Sequence, residues 1–216
     1  MQYCMYIGQD RVARKTKADA ELTRQNILDA AERLFFIHGV TKTSLEEIAA
    51  EAGVTRGAIY WHFADKGALF RDLHERVRLP QEDMVRQVVA EGHPDPLGFM
   101  EQIALHYIRT VSADARLMRV YAILLVRCEY VGEMADALTR QHDANTAMRE
   151  NLKRIFAMAA ENGSLNAKWT PGTAARVFET MMSGLWADWL RYGQEFDMAV
   201  EGADCVRELF TAFRGQ

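Results

Sequence analysis

The sequence is poor in cysteine and proline and has no long apolar run, and each shortage removes a class of protein. Cys4, Cys128 and Cys205 are too few, too scattered and odd in number for a disulfide framework, which predicts reduced thiols in a cytoplasmic protein. No uncharged apolar run approaches the roughly 18 residues of a membrane span. No basic segment followed by an apolar core marks a secretory signal. Four prolines and an absence of alternating β-branched runs leave little room for strands. What is there is globular: 49% hydrophobic and 26% charged residues in a chain of 216, enough to bury a core without a metal or disulfide staple. That length accommodates one domain, or a small one joined to a larger one.

Catalytic constellations are missing too. None of the 6 histidines follows a glutamate by three residues, so the Glu-x-x-His of di-iron bundles is absent. No His-Glu-x-x-His, Cys-x-x-Cys, Walker loop or Gly-x-Ser-x-Gly occurs. His38, His74, His106 and His142 read as polar-face residues, and Cys128 with a distant histidine is the one remaining nucleophile pair. Neither an enzyme nor a cofactor or metal is expected.

A net charge of −4 argues against a nucleic-acid partner until it is divided along the chain. Residues 11–79 carry 12 Lys/Arg against 10 Asp/Glu, whereas residues 80–216 carry 14 against 19. Arg11, Arg14, Lys15 and Lys17 crowd the front, either as a solvated tail or as an arm that neutralises phosphates.

Apolar periodicity predicts an all-α chain. Ile27, Ala30, Ala31 and Leu34 recur at helical spacing, giving a first helix over about 19–38 that stops at Gly39. Thr43-Ser44-Leu45-Glu46 fits a capping box for a short helix ended by Gly53. Thr55 caps another through Trp61, and Asp65 caps a fourth running from Lys66 towards Val88, kinked or broken at Pro80. After the strong break at Gly92-His93-Pro94-Asp95-Pro96, helices are expected near 97–111, 115–128, 133–162, 171–192 and 197–213.

Two short helices joined by a tight turn containing Gly53 fit either an ordinary αα-hairpin or a helix-turn-helix. In the second case Leu45, Ile48, Ala49, Ile59 and Phe63 face the core. Arg56, Gly57, Ala58, Tyr60 and His62 then face outward. Arg56 could bond bidentately to guanine, while Gly57 and Ala58 allow close approach and contact with thymine methyls. Tyr60, His62 and Lys66 are donors spaced for phosphates.

The run Ser44-Leu45-Glu46-Glu47-Ile48-Ala49, then Ala52-Gly53-Val54-Thr55-Arg56-Gly57-Ala58-Ile59-Tyr60-Trp61-His62-Phe63, closely resembles the DNA-binding segment of the TetR family of transcriptional regulators. Ala13-Arg14-Lys15-Thr16-Lys17 and Cys128-Glu129-Tyr130-Val131-Gly132-Glu133-Met134 resemble a narrower subgroup, the AcrR- and TtgR-like repressors of multidrug efflux operons. The resemblance runs from about residue 13 to 213, strong at the front and patchy behind. It implies a basic arm over residues 1–20, a helix-turn-helix head over 21–81 and a ligand-binding, dimerising body over 82–216. It also implies DNA contacts at Ser44, Thr55, Arg56, Gly57, Ala58, Tyr60, Trp61, His62 and Lys66, with packing against the fourth helix as the alternative for Trp61. Val12 stands where the subgroup has its initiator methionine. Translation is therefore expected to start at that codon, and recovery of a native chain beginning Met1-Gln2-Tyr3, by intact mass, would exclude this.

The second half is rich in soft and aromatic side chains that share helical faces, which suits either a core or a promiscuous pocket. The resemblance implies pocket positions at Ile103, Ala104, Tyr107, Tyr121, Leu125, Asn145, Met148, Leu152, Phe178, Glu179, Met182, Ser183 and Trp186. Glu179 would either pair with a cationic drug or be salt-bridged. Val177, Met181 and Leu185, with Val206, Leu209, Phe210 and Phe213, read as bundle core, and in the resembling family such surfaces on the last two helices form a homodimer interface. The expected protein is a repressor that binds double-stranded, roughly palindromic operator DNA and is released by a hydrophobic effector. The alternatives are a regulator sensing a metabolite such as an acyl-CoA or flavonoid, a helical-bundle enzyme, or a DNA-packaging factor.

Overall fold

A computed structural model describes residues 9–76 and 81–214, with side-chain placement from residue 17 onward, residues 81, 82 and 133 aside. The patternless stretch expected over residues 1–11 lies mostly outside these limits, as do the side chains of Arg11, Arg14 and Lys15. Ten α-helices succeed one another, with no strand among the described residues. They are α1 (Gln9–His38), α2 (Leu45–Glu51), α3 (Arg56–His62), α4 (Lys66–Glu75), α5 (Gln81–Glu91), α6 (Pro96–Ala113), α7 (Ala115–Ala122), α8 (Ala135–Glu161), α9 (Pro171–Arg191) and α10 (Ala203–Arg214).

Three boundaries depart from the sequence reading, and a fourth falls where a kink or break was expected. The first helix starts at Gln9, so the back half of the expected arm is helical; its Lys, Arg and Ala residues are good helix formers that extend α1. The helix expected from Lys66 towards Val88, kinked or broken at Pro80, is two helices, α4 and α5, the second beginning at Gln81. The segment expected over 115–128 is a short α-helix followed by a π turn, Ile123–Arg127. Another π turn, Met198–Gly202, opens the last helix.

Short polar side chains set where the head helices begin. Ser44, one residue beyond the expected Thr43, caps α2: its hydroxyl accepts from the Glu47 amide at 3.1 Å, and the Glu47 carboxylate accepts from the Ser44 amide at 2.8 Å. Thr43 is instead buried, its hydroxyl donating to the Gly39 carbonyl at 2.8 Å. Thr55 caps α3 by accepting from Ala58, and Asp65 caps α4 by accepting from Ala68. Each such cap is worth about 1 kcal/mol. The head core beneath them joins Ile27, Leu28, Ala31 and Phe35 of α1 to Ile48, Ile59, Phe63, Leu69 and Leu73.

The body closes around rings. Phe156 of α8 lies 4.9 Å from Phe213, Phe178 of α9 lies 5.7 Å from Phe210, and Phe210 and Phe213 are 5.4 Å apart, all edge to face. The α10 stripe Val206, Phe210 and Phe213 is thus completely buried within one copy of the chain and is not available to a second. On α9, Val177 is exposed while Met181 and Leu185 are half-buried.

Head and body are joined by charge. Glu32 of α1 is only 3% exposed, yet its carboxylate accepts from Arg119 at 2.8 Å and from Arg116 at 3.2 Å, both on α7. Asp29, one turn earlier, is shared by Arg116 at 2.9 Å and Arg76, at the end of α4, at 2.8 Å. A main-chain bond adds to this: the Val40 amide donates to the Arg127 carbonyl at 3.1 Å. Gly39 (φ +86°) turns the chain there, and a Cβ on it would stand 3.3 Å from that carbonyl. Glu32→Gln should lower stability by about 1–3 kcal/mol, because it removes the charge that two guanidinium groups are oriented to meet. Arg119→Gln, at a half-exposed site, should cost less, and urea unfolding compares the two.

Candidate functional site

The outward face of α3 is the first candidate surface. Gly53 (φ +67°) turns the chain tightly after α2, and Ile59 and Phe63 pin α3 to the head core. This leaves Thr55, Arg56, Gly57, Tyr60 and Trp61 exposed, with Ala58 and His62 partly covered. A Cβ at Gly57 would meet nothing closer than the Thr55 hydroxyl at 4.0 Å, so the helix surface is smooth there. Arg56 is held rather than loose: its Nε lies 2.9 Å from a Glu46 carboxylate oxygen and its guanidinium sits 5.7 Å from the Tyr60 ring centroid. The Tyr60 hydroxyl, then the Glu46 charge, raise its pKa, keeping it cationic.

Trp61 is 73% exposed, which excludes packing against α4 as its role; its ring lies edge-on to His62 at 4.5 Å. Burial, then the nearby Arg24 charge, pull the His62 pKa below its ordinary value, so the ring is neutral at pH 7. Ser44 is engaged with Glu47 in its capping box, and hydrogen bonds from the Ser44 amide and hydroxyl lower the Glu47 pKa.

Lys66 departs from its expected place. It is 5% exposed, and its Nζ donates to the main-chain carbonyls of Thr43 at 3.0 Å and Thr41 at 3.4 Å. The ammonium that was expected on a phosphate instead ties α4 to the loop that leads into α2. The sequence could not distinguish the two, since a lysine at a helix start can reach outward or fold back over the preceding turn. Lys66→Met should therefore destabilise the fold by about 1–3 kcal/mol in thermal melts. It should leave the salt dependence of DNA binding unchanged, where a phosphate ligand would flatten the slope by about one unit.

In the body, the structure divides the thirteen expected pocket positions. Tyr107, Tyr121 and Trp186 come together from α6, α7 and α9, with ring centroids 5.9 Å (Tyr107–Tyr121), 5.5 Å (Tyr107–Trp186) and 6.4 Å (Tyr121–Trp186) apart. Ala104, Leu152 and Phe178 are buried in the core; Leu125, Met148 and Met182 are half-buried, and Asn145 and Ser183 are exposed. Glu179 is salt-bridged, taking both Nε (2.5 Å) and Nη2 (2.8 Å) of Arg149. Ile103 lines a surface cleft of about 500 Å³ with Met84, Phe99, Gln102, Leu105, His106 and Arg109. A second cleft, of about 360 Å³, has Arg109, Trp189, Phe196 and Asp197 in its walls. Neither cleft was legible in the sequence, because several of these side chains lie on the polar face of α6, where no apolar period marks them.

Burial pushes the Cys128 thiol up to about 11, so it is protonated at pH 7 and not poised as a nucleophile. Among the described residues no group of His, Cys, Asp or Glu could hold a metal ion, and no helix is long and apolar enough to cross a membrane.

Known proteins share both halves of this arrangement. Residues 27–73 match the bacterial regulatory proteins of the tetR family, and residues 95–214 match the MAATS-type transcriptional repressor C-terminal region. The HTH-type transcriptional repressor BepR of Brucella suis biovar 1 (strain 1330) is 37% identical over 93% of this chain and 96% of its own. The crystal structure of NalD, the secondary repressor of the MexAB-OprM multidrug efflux pump in Pseudomonas aeruginosa, superposes with a TM-score of 0.82 at 34% identity, covering 91% of this chain and 98% of that one. A complex of SmeT with triclosan gives 0.79 at 28% identity, covering 90% and 93%; SmeT is the repressor of the Stenotrophomonas maltophilia multidrug efflux pump SmeDEF. With these matches along nearly its whole length, the chain belongs to the TetR family, as a transcriptional repressor related to those of multidrug efflux pumps.

Proposed function

We propose that the protein represses an efflux operon by placing two copies of α3 in successive major grooves, and that a hydrophobic effector in the body releases it. The observation that carries the first part is the exposed, pre-oriented Arg56 between Glu46 and Tyr60, on a helix whose neighbouring Gly57 permits close approach to the bases. Thr55, Ala58, Tyr60, Trp61 and His62 complete the DNA surface, with Ser44 at the edge of α2. Lys66 acts behind this surface, holding the loop that carries Ser44.

The second part is supported by the SmeT–triclosan complex and by the cluster of Tyr107, Tyr121 and Trp186. Tyr121 belongs to the same short helix as Arg116 and Arg119, which grip α1, so a ligand that displaces the tyrosine moves a helix attached to the head. Phe70 of α4 packs edge-on against Tyr130 at 6.2 Å, giving α4 its own contact with the segment after α7. Release requires that the effector bind the two head orientations unequally, typically by about 1–3 kcal/mol. Dimerisation falls to the open face of α9 around Val177, together with the polar face of α10. The effector is a drug-like molecule in this reading, with a metabolite as the alternative the same assay decides.

Selection of operator fragments from a genomic pool, repeated with a panel of drugs and metabolites, tests both parts. Recovery of one roughly palindromic site that a drug releases is expected; capture of every fragment, or of none, would overturn the reading. Arg56→Ala should cost about 1–3 kcal/mol at the base pair it reads and relax selection there. Unaltered affinity and selection would remove Arg56 from the reading set.

A further inference from the structure

The cleft of about 360 Å³ lies where the end of α6, the end of α9 and the Met198–Gly202 π turn meet. None of its lining residues is on α3 or among the thirteen expected pocket positions. Its floor is apolar: Trp189 and Met198 are buried and Phe196 is half-buried. Trp189 has already spent its indole N–H on the Phe196 carbonyl at 2.8 Å, so its ring offers an occupant only apolar surface. The rim is polar and exposed, with Arg109, Gln194 and Asp197. An apolar floor under such a rim suits a small molecule with a flat hydrocarbon body and one charged end.

The sign of that charge follows from what the rim still has to offer. Asp197 is engaged in capping the π turn, its Oδ1 accepting from the amides of Ala199 at 2.9 Å and Val200 at 3.3 Å. Arg109 makes no ion pair among the described residues, whereas Arg116, Arg119, Arg149 and Arg214 all meet carboxylates. Its guanidinium is therefore open to a planar anion, and a carboxylate can take two of its parallel N–H donors at once. This local preference runs against the surrounding charge, since residues 80–216 carry 14 Lys/Arg against 19 Asp/Glu.

The backbone supplies an independent sign. Gln194 is the one non-glycine among the described residues with a positive φ, +65°, and it stands in the cleft wall. Its side-chain amide donates to the Met118 sulfur of α7 at 3.5 Å, so this residue ties the cleft to the helix that grips α1. Backbone strain of this kind gathers at ligand sites. We infer that the cleft is a second ligand site, one for aromatic monocarboxylates. The carboxylate meets the Arg109 guanidinium, and the ring lies over Trp189 and Phe196. This site is separate from the operator and effector surfaces and depends on neither reading.

Three naphthalenes of nearly one shape test it by titration calorimetry on the full-length protein: 2-naphthoate, neutral 2-naphthamide and cationic 2-naphthylmethylammonium. The wild type should bind 2-naphthoate about fivefold more tightly than the amide, as one exposed charge-assisted pair can supply, and the ammonium no better than the amide. Arg109→Gln should remove that preference. Ala113 is an exposed residue of the same cleft, and Ala113→Phe should abolish the preference too by filling the site. A readout free of variants accompanies these: 2-naphthoate should shift the amide resonances of Ala113 and Ala199 before those of Tyr107 and Tyr121. The reverse order, no binding, equal affinity for carboxylate and amide, or preferred binding of the ammonium overturns the inference. So does a preference lost in Arg109→Gln but kept in Ala113→Phe, which would put the anion in the 500 Å³ cleft that Arg109 also lines. Release of operator DNA by other compounds is judged separately and stands or falls without these results.

Discussion

Two carboxylates on α1 and three arginines from elsewhere hold this molecule in one piece. Glu32 is buried and would be intolerable alone; Arg116 and Arg119 make it tolerable, and in doing so fasten α7 to the head. Asp29 links the same arginine to Arg76 at the far end of α4. The helix that carries the head core is therefore also the helix to which α7 and the end of α4 are both fastened. Hydrophobic contact alone would permit α7 to slide along α1, since dispersion has no direction. Guanidinium–carboxylate geometry does not, because each pair demands its own spacing and angle.

The outward face of α3, proposed above to read DNA, follows a different logic, in which weak local devices act in series. The N-caps Ser44, Thr55 and Asp65 begin the three helices, Lys66 closes the loop ahead of α2, and Gly53 sets the turn between α2 and α3. Each is a small contribution, and several are exposed. Their combined effect is to fix the direction in which Arg56 and Trp61 leave the surface, and orientation is what separates a DNA reader from any other hairpin of two helices.

Much of this could be read from the residues. The helical period of Ile27, Ala30, Ala31 and Leu34, the turn at Gly53, and Ile59 with Phe63 placed the head helices and their outward face correctly, because burial and turn chemistry are local signals. Three kinds of information were not local. The partner of a charge is one: nothing near Lys66 or Glu32 in sequence says that the first meets main-chain carbonyls and the second meets α7. The inner or outer aspect of an apolar stripe is another. Phe210 and Phe213 have the spacing of an interface, and only the rings of Phe156 and Phe178 draw them inward. The third is competition between cap candidates, where Thr43 lost to Ser44 because its hydroxyl already serves Gly39. In the body, Met and aromatic faces looked alike whether they led to core or cleft, and the family resemblance mixed both among its thirteen positions.

The bond between the Val40 amide and the Arg127 carbonyl uses only main-chain atoms. Side chains on either strand of that contact can change without erasing it, short of a proline at position 40 or a bulky residue at Gly39. On the proposed effector-binding reading, substitutions along α7 would alter what is detected while this main-chain tie keeps the register between the two halves. Such a sensor would drift in what it detects without losing its aim.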